Sequence, residues 1–136
     1  MTISAPPHPK EAIPTTTLFQ YGMAAYQRGD YATAMQTWRP LAEQGNAAAQ
    51  LYLGVLYEEG WGVPRDYAAA LSWYRKAADQ GYARAQSNLG VFYENGRGLP
   101  KDECEAARLY KLAADQGNAN AQCDLGLFYE QGRGGL

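Results

Sequence analysis

Residues 47–82 read AAAQLYLGVLYEEGWGVPRDYAAALSWYRKAADQGY, and residues 83–118 read ARAQSNLGVFYENGRGLPKDECEAARLYKLAADQGN. Aligned without gaps, 19 of the 36 positions are identical. Residues 119–135, ANAQCDLGLFYEQGRGG, repeat the start of the second of these stretches at 11 of 17 positions. Upstream, YATAMQTWRPLAEQGN (31–46) falls into register with the second half of the unit, placing Tyr31 with Tyr67, Ala34 with Ala70 and Gly45 with Gly81. Residues 15–30 supply the matching first half, with Tyr26 and Gly29 at the places of Tyr57 and Gly60 and a link five residues shorter. A fixed period of this size marks a stacked repeat architecture. The chain therefore divides into a proline-rich arm over 1–14 (Pro6, Pro7, Pro9, Pro14), expected to be flexible, and units at 15–46, 47–82, 83–118 and, in part, 119–136.

Each unit predicts two helices. In the second unit helix A covers about 47–59, where Gln50, Leu53, Gly54 and Tyr57 share one face, and helix B covers about 66–80, where Tyr67, Ala70, Tyr74, Ala77 and Ala78 do the same. The intervening Gly60-Trp61-Gly62-Val63-Pro64 breaks the first helix. Asp66 stands at an N-cap position, and Asp102 with Glu105 has capping-box spacing. Gly45, Gly81 and Gly117 follow the last turn of each B helix, where a left-handed residue ends a helix well. Gly54, Gly90 and Gly126 recur in the middle of the A helices, where glycine costs about 1 kcal/mol against alanine. The expected compensation is close approach of the B helix through its small alanines. One such hairpin cannot shield its own apolar face, and stacking against neighbours does so.

Composition narrows the function. The 136 residues carry a formal net charge of −2, which lacks the basic excess of a nucleic-acid binder. No apolar run approaches the length of a membrane span. His8 is the single histidine and lies in the arm, so no nucleophile–base pair and no histidine-rich metal cluster is readable; no cofactor, metal or catalytic residue is expected. The glycine-rich links lack the register of phosphate-binding loops. Cys104 and Cys123 form no CxxC and are expected to be reduced, buried or half-buried thiols. The N-terminus shows no apolar core with a cleavage site; the expected location is the cytoplasm if the chain is complete, or the periplasm or exterior if a leader was removed.

The pattern A-x-A-Q-x-x-L-G-x-x-Y-E-x-G-x-G-x-P-x-D-x-x-x-A-x-x-x-Y-x-x-A-A-D-Q-G resembles the Sel-one-like repeat, a bacterial-type relative of the tetratricopeptide repeat, over about 15–136. The first unit departs through its short Gly29-Asp30 link, and the last lacks helix B. The resemblance implies an all-α, right-handed α/α superhelix of about seven helices that acts as a non-enzymatic scaffold or adaptor. A disulfide-rich branch of the family places cysteines where this chain has Ala78, Ala114, Gln86 and Gln122, so the chain is not of that branch.

The resemblance also implies that the A helices line the concave face. Positions that vary between copies are free for recognition. On this reading the partner-binding groove comprises Tyr21, Leu51, Tyr52, Val55, Glu58, Arg84, Asn88, Val91, Glu94, Asn120, Asp124, Leu127 and Glu130, with an apolar floor at Val55, Val91 and Leu127. Glu58, Glu94 and Glu130 either form a carboxylate ladder that selects a lysine or arginine, or pair locally with Arg97 and Arg133. Trp61, replaced by Arg97 and Arg133 in the other copies, is either a loop anchor for the partner or a cover for an adjacent helix end; Trp38 and Trp73 are packing residues of B helices. The expected partner is another protein or a peptide, not nucleic acid and not a membrane. The alternatives are an immunity-type inhibitor of a toxic effector enzyme and a homo-oligomer. The oligomer would associate through the unpaired last helix, whose B-facing side (Leu125, Gly126, Tyr129) is expected to be exposed.

Overall fold

The structure, a computed structural model, describes residues 13–136. His8 and nearly all of the 1–14 arm lie outside the described residues. Seven α-helices and no strand occur among the described residues: α1 (Thr15–Gln27), α2 (Tyr31–Glu43), α3 (Ala47–Glu59), α4 (Tyr67–Asp79), α5 (Ala83–Asn95), α6 (Glu103–Asp115) and α7 (Ala119–Gln131). The odd-numbered helices are the A helices of the repeat and the even-numbered ones the B helices. Each packs chiefly on the helices beside it in the chain, which gives an all-α repeat superhelix.

The boundaries follow local chemistry. Asp30, Asn46, Asp66, Asp102 and Asn118 each accept a hydrogen bond from the amide three residues on, which satisfies one open donor at a helix start. The capping box at Asp102 is half formed: Asp102 accepts from the Glu105 amide at 3.0 Å, but the Glu105 carboxylate turns to Arg108 instead of reaching back. Gly45, Gly81 and Gly117 adopt φ of 100°, 85° and 90°, as the C-cap reading requires.

The mid-helix glycines have a different partner from the one expected. A Cβ on Gly54 would lie 2.5 Å from the ring of Tyr74, and one on Gly90 would lie 2.7 Å from that of Tyr110. In the variant first unit Gly22 takes Trp38 in the same way, at 2.3 Å. The B helix thus sends an aromatic ring, not an alanine, across the glycine. The alanines do the complementary work: Ala70, Ala77 and Ala78 are buried and let the helices approach closely enough for the ring to cross. Trp38, Tyr74 and Tyr110 are the largest buried side chains, and each centres one of three successive core clusters. Trp38 stacks on Tyr52 with ring centroids 4.9 Å apart and donates its indole N–H to the Phe19 carbonyl at 3.1 Å. Trp73 is half-buried against the same first cluster.

Successive hairpins are joined by a repeated glutamine contact. Gln50 donates to the Ala42 carbonyl at 3.0 Å and accepts from Gln80 at 2.9 Å. One period later Gln86 donates to Ala78 and accepts from Gln116 at 2.8 Å. These buried amides explain why glutamine recurs on an otherwise apolar face, since a buried polar group needs its partners.

Both cysteines are exposed, against the expectation of buried or half-buried thiols. Cys104 lies in the first turn of α6 at an exposed position. Cys123 occupies the register of Leu51 and Ser87, which are buried; no hairpin follows α7 among the described residues to cover it.

Candidate protein-binding face

The predicted groove residues divide by environment. Tyr21 (62% exposed) and Leu127 (45% exposed) stand at opposite ends of the row, with half-buried Val55 and Val91 between them. A depression of about 280 Å³ between α3 and α5 is lined by Val55, Glu58, Glu59, Tyr74, Asn88 and Val91. At its N-terminal end Arg84 lies over the Tyr52 ring, 5.2 Å from the centroid, and donates to the Tyr52 hydroxyl at 2.9 Å. Asn120 and Glu130 are exposed and Asp124 is half-buried. Burial and the nearby Glu94 carboxylate raise the Asp124 carboxyl above its ordinary pKa.

Leu51 does not belong to this surface. It is fully buried at the junction of α3, α4 and α5, in one cluster with Tyr74, Leu89 and Phe92. Three helices converge on Leu51, and Ser87 is likewise buried one repeat later, so neither is available to a partner.

The carboxylates are not a free ladder. The Tyr74 hydroxyl, having crossed Gly54, donates to Glu58 Oε1 at 2.7 Å, and Arg97 from the next link donates to Glu58 Oε2 at 2.9 Å. One repeat later Tyr110 donates to Glu94 Oε1 at 2.7 Å and Arg133 to Glu94 Oε2 at 3.1 Å. Each carboxylate therefore ties its own hairpin to the following link. Burial and the accepting Glu58 hold the Tyr74 phenol far above its ordinary pKa, and Tyr110 is raised by burial and Glu94 in the same way. These phenols stay protonated donors throughout the neutral range.

The link position occupied by Trp61, Arg97 and Arg133 covers the start of the preceding B helix. Trp61 stacks on Tyr31 with centroids 5.0 Å apart, Arg97 lies over Tyr67, and Arg133 pairs with Glu103. Each residue matches the chemistry of what it covers. Trp61 thus serves as a cover for the helix end, with one ring face committed to Tyr31. Because Arg97 is partly exposed, Arg97→Met is expected to cost no more than about 1 kcal/mol in a urea unfolding curve.

The sequence reading missed that Tyr74 lines the depression between α3 and α5 and that the Tyr74 and Tyr110 hydroxyls hold Glu58 and Glu94. Their signal was present: a glycine recurs at one register position of the later A helices (Gly54, Gly90, Gly126), and an aromatic residue at one register position of every complete B helix (Trp38, Tyr74, Tyr110).

The family model of the Sel1 repeat matches residues 47–82, 83–118 and 119–136. A Sel1 repeat protein from Oxalobacter formigenes is similar in structure, with a TM-score of 0.82 and 40% identity over 85% of this chain and 48% of its own. A protective antigen of uropathogenic Escherichia coli strains, which displays an SLR fold, gives 0.83 and 39% over 91% of this chain and 27% of its own. The chain spans about half the length of the first protein and about a quarter of the second. No curated protein sequence matches it significantly. No helix among the described residues is long and apolar enough to cross a membrane. The three matched segments cover more than half of the chain and carry the pinned Gly–Tyr–Glu–Arg hairpins described above, so the protein belongs to the Sel1 repeat family.

Proposed function

We propose that the protein is a non-enzymatic scaffold that binds a segment of another protein along the exposed face of its A helices. Sel1 repeat proteins generally mediate protein–protein interactions. The observation that carries the reading is the apolar row Tyr21–Tyr52–Val55–Val91–Leu127, which runs across all four A helices and is exposed or half-buried along its whole length. A contiguous apolar row rimmed by polar side chains is a typical mark of an interaction surface. Arg84, Asn88, Asn120 and Asp124 supply that rim and differ from copy to copy, so they suit a partner read residue by residue. With Glu58 and Glu94 neutralised by Arg97 and Arg133, affinity rests on the apolar row rather than on charge.

The test is recovery of the partner from a lysate of the source organism. Val91→Asp/Leu127→Asp is expected to lower recovery at least tenfold, about 1.4 kcal/mol. Leu112→Asp, on an exposed site of the B helix α6, is expected to leave it unchanged. Equal recovery with both variants would reject the A-helix face as the binding surface.

A further inference from the structure

A second depression, of about 290 Å³, lies on the B-helix side in the middle of the chain, between α4 and α6 and above α5. Its floor is Leu89 and Leu109, both buried, and its rim is Leu112, 40% exposed. Arg75 and Asp79 of α4 form one wall, and Glu105 and Arg108 of α6 form the other. Each guanidinium has a partner that fixes it beside the opening. Arg75 donates to the Tyr93 hydroxyl at 3.0 Å and lies over that ring, 5.9 Å from its centroid. Arg108 Nε lies 3.0 Å from both carboxylate oxygens of Glu105. Asp79 is exposed and has no hydrogen-bond or ion-pair partner among the described residues.

Charge complementarity selects the occupant. Two arginines stand against two carboxylates, so the lining has no net formal charge and favours a neutral group. The guanidinium faces attract the electron-rich face of an aromatic ring, and the free Asp79 carboxylate can accept from a ring N–H. The volume lies at the lower end of the range for small-molecule pockets, about 300–1,000 Å³, and suits a single side chain. The chain itself shows which ring these walls accept. One repeat earlier Ser72, Trp73 and Lys76 stand where α6 has Arg108, Leu109 and Leu112. There the Trp73 indole is half-buried against the first core cluster, and Lys76 Nζ lies 4.4 Å from the centre of its ring. The position reads Thr37, Trp73 and Leu109 in the three copies, so the indole is peculiar to one junction and is no part of the repeat pattern. We propose that the depression between α4 and α6 docks one tryptophan side chain of a partner protein. The indole lies on Leu89, Leu109 and Leu112 beside Arg75 and Arg108, with its N–H donated to Asp79. Residues 1–12 contain no phenylalanine, tyrosine or tryptophan, so the arm cannot supply the ring. A second copy offers Tyr21 and Tyr129 as its most exposed rings. On α7 Gly126 and Tyr129 are exposed as the sequence suggests, whereas Leu125 is half-buried against the third core cluster.

The probe is N-acetyl-tryptophanamide, titrated into the isotope-labelled full chain. It is expected to shift the resonances of Leu89, Leu109, Leu112 and the Arg75 and Arg108 side chains, saturating in the millimolar range. N-acetyl-leucinamide is expected to bind about tenfold more weakly. Leu109→Trp, which fills the space from within, is expected to abolish the shifts, with helicity checked by circular dichroism. Leu112→Asp alters only the exposed rim and is expected to weaken binding about fivefold even if Leu109→Trp does not fold. Val91→Asp/Leu127→Asp is expected to leave probe binding unchanged, which separates this pocket from the A-helix face. The proposal is overturned if the tryptophan probe leaves these residues unshifted up to its solubility limit. It is also overturned if the two probes bind alike, or if Leu112→Asp binds as the unmodified chain does. Shifts at the same residues on raising the protein concentration alone, with a dimer in light scattering, would assign the pocket to a second copy and equally overturn it.

Discussion

Trp38→Ala is expected to lower the unfolding free energy by about 3–5 kcal/mol, the range for removing a large aromatic side chain from a closed core. Trp38 is fully buried, fills the Gly22 notch, stacks with Phe19 and Tyr52, and donates to a backbone carbonyl. Alanine would leave a cavity between α1, α2 and α3 and remove the indole's hydrogen bond to the Phe19 carbonyl. A domain of this size has about 5–15 kcal/mol in total, so the loss is a large fraction of its stability. Because each helix leans on its chain neighbours, the first hairpin is expected to unfold ahead of α4–α7. Urea unfolding followed by far-ultraviolet circular dichroism and by the fluorescence of Trp61 and Trp73 checks both points. A change below about 1 kcal/mol would mean that Trp38 is not the centre of the first core cluster.

Gly54→Ala is expected to destabilise by about 2–3 kcal/mol, although alanine is the better helix former by about 1 kcal/mol. The added methyl would sit 2.5 Å from Tyr74 Cε1 and 2.6 Å from Cδ1. That ring cannot swing aside, because its hydroxyl is fixed on Glu58 and its body is fully buried. The helices must separate, which loosens the contact of the neighbouring alanines. Gly126→Ala is the internal control. Nothing lies near its Cβ, so there the propensity gain is unopposed and a stabilisation of up to about 1 kcal/mol is expected. Opposite signs for one substitution at two equivalent positions are a stringent demand on the fold.

Much of the architecture was legible because the repeat restates each signal. The span predicted for helix A in the second unit, 47–59, is the observed one, and helix B differs by one residue at each end. The caps at Asp66 and Gly81 were readable because their chemistry is local. The contacts that cross hairpins were harder. Gly54 was recognised as a place of close approach, but a periodicity argument puts Ala70 and Tyr74 on one face without saying which of them meets the glycine. Leu51 was misplaced for a related reason: a helical wheel shows which residues share a side, not that α5 closes over that side one turn earlier than at Val55. Glu58 and Glu94 carried two readings because their arginine partner lies 39 residues away, in the next link, and only the stacking brings it near. The thiols were misjudged because cysteine is usually buried, while Cys123 sits where burial depends on a following hairpin.

The central claim is that each hairpin is locked by an aromatic ring of the B helix lying across a glycine of the A helix. A double-mutant cycle at Gly54 and Tyr74 tests it most directly, with denaturant unfolding free energies as the readout. With Tyr74 present, Gly54→Ala is predicted to destabilise by about 2–3 kcal/mol. With Tyr74→Ala in place the notch is empty, and Gly54→Ala is predicted to stabilise by up to about 1 kcal/mol. The same penalty in both backgrounds would show that the ring does not occupy the notch, and would contradict the packing on which the whole stacked architecture rests.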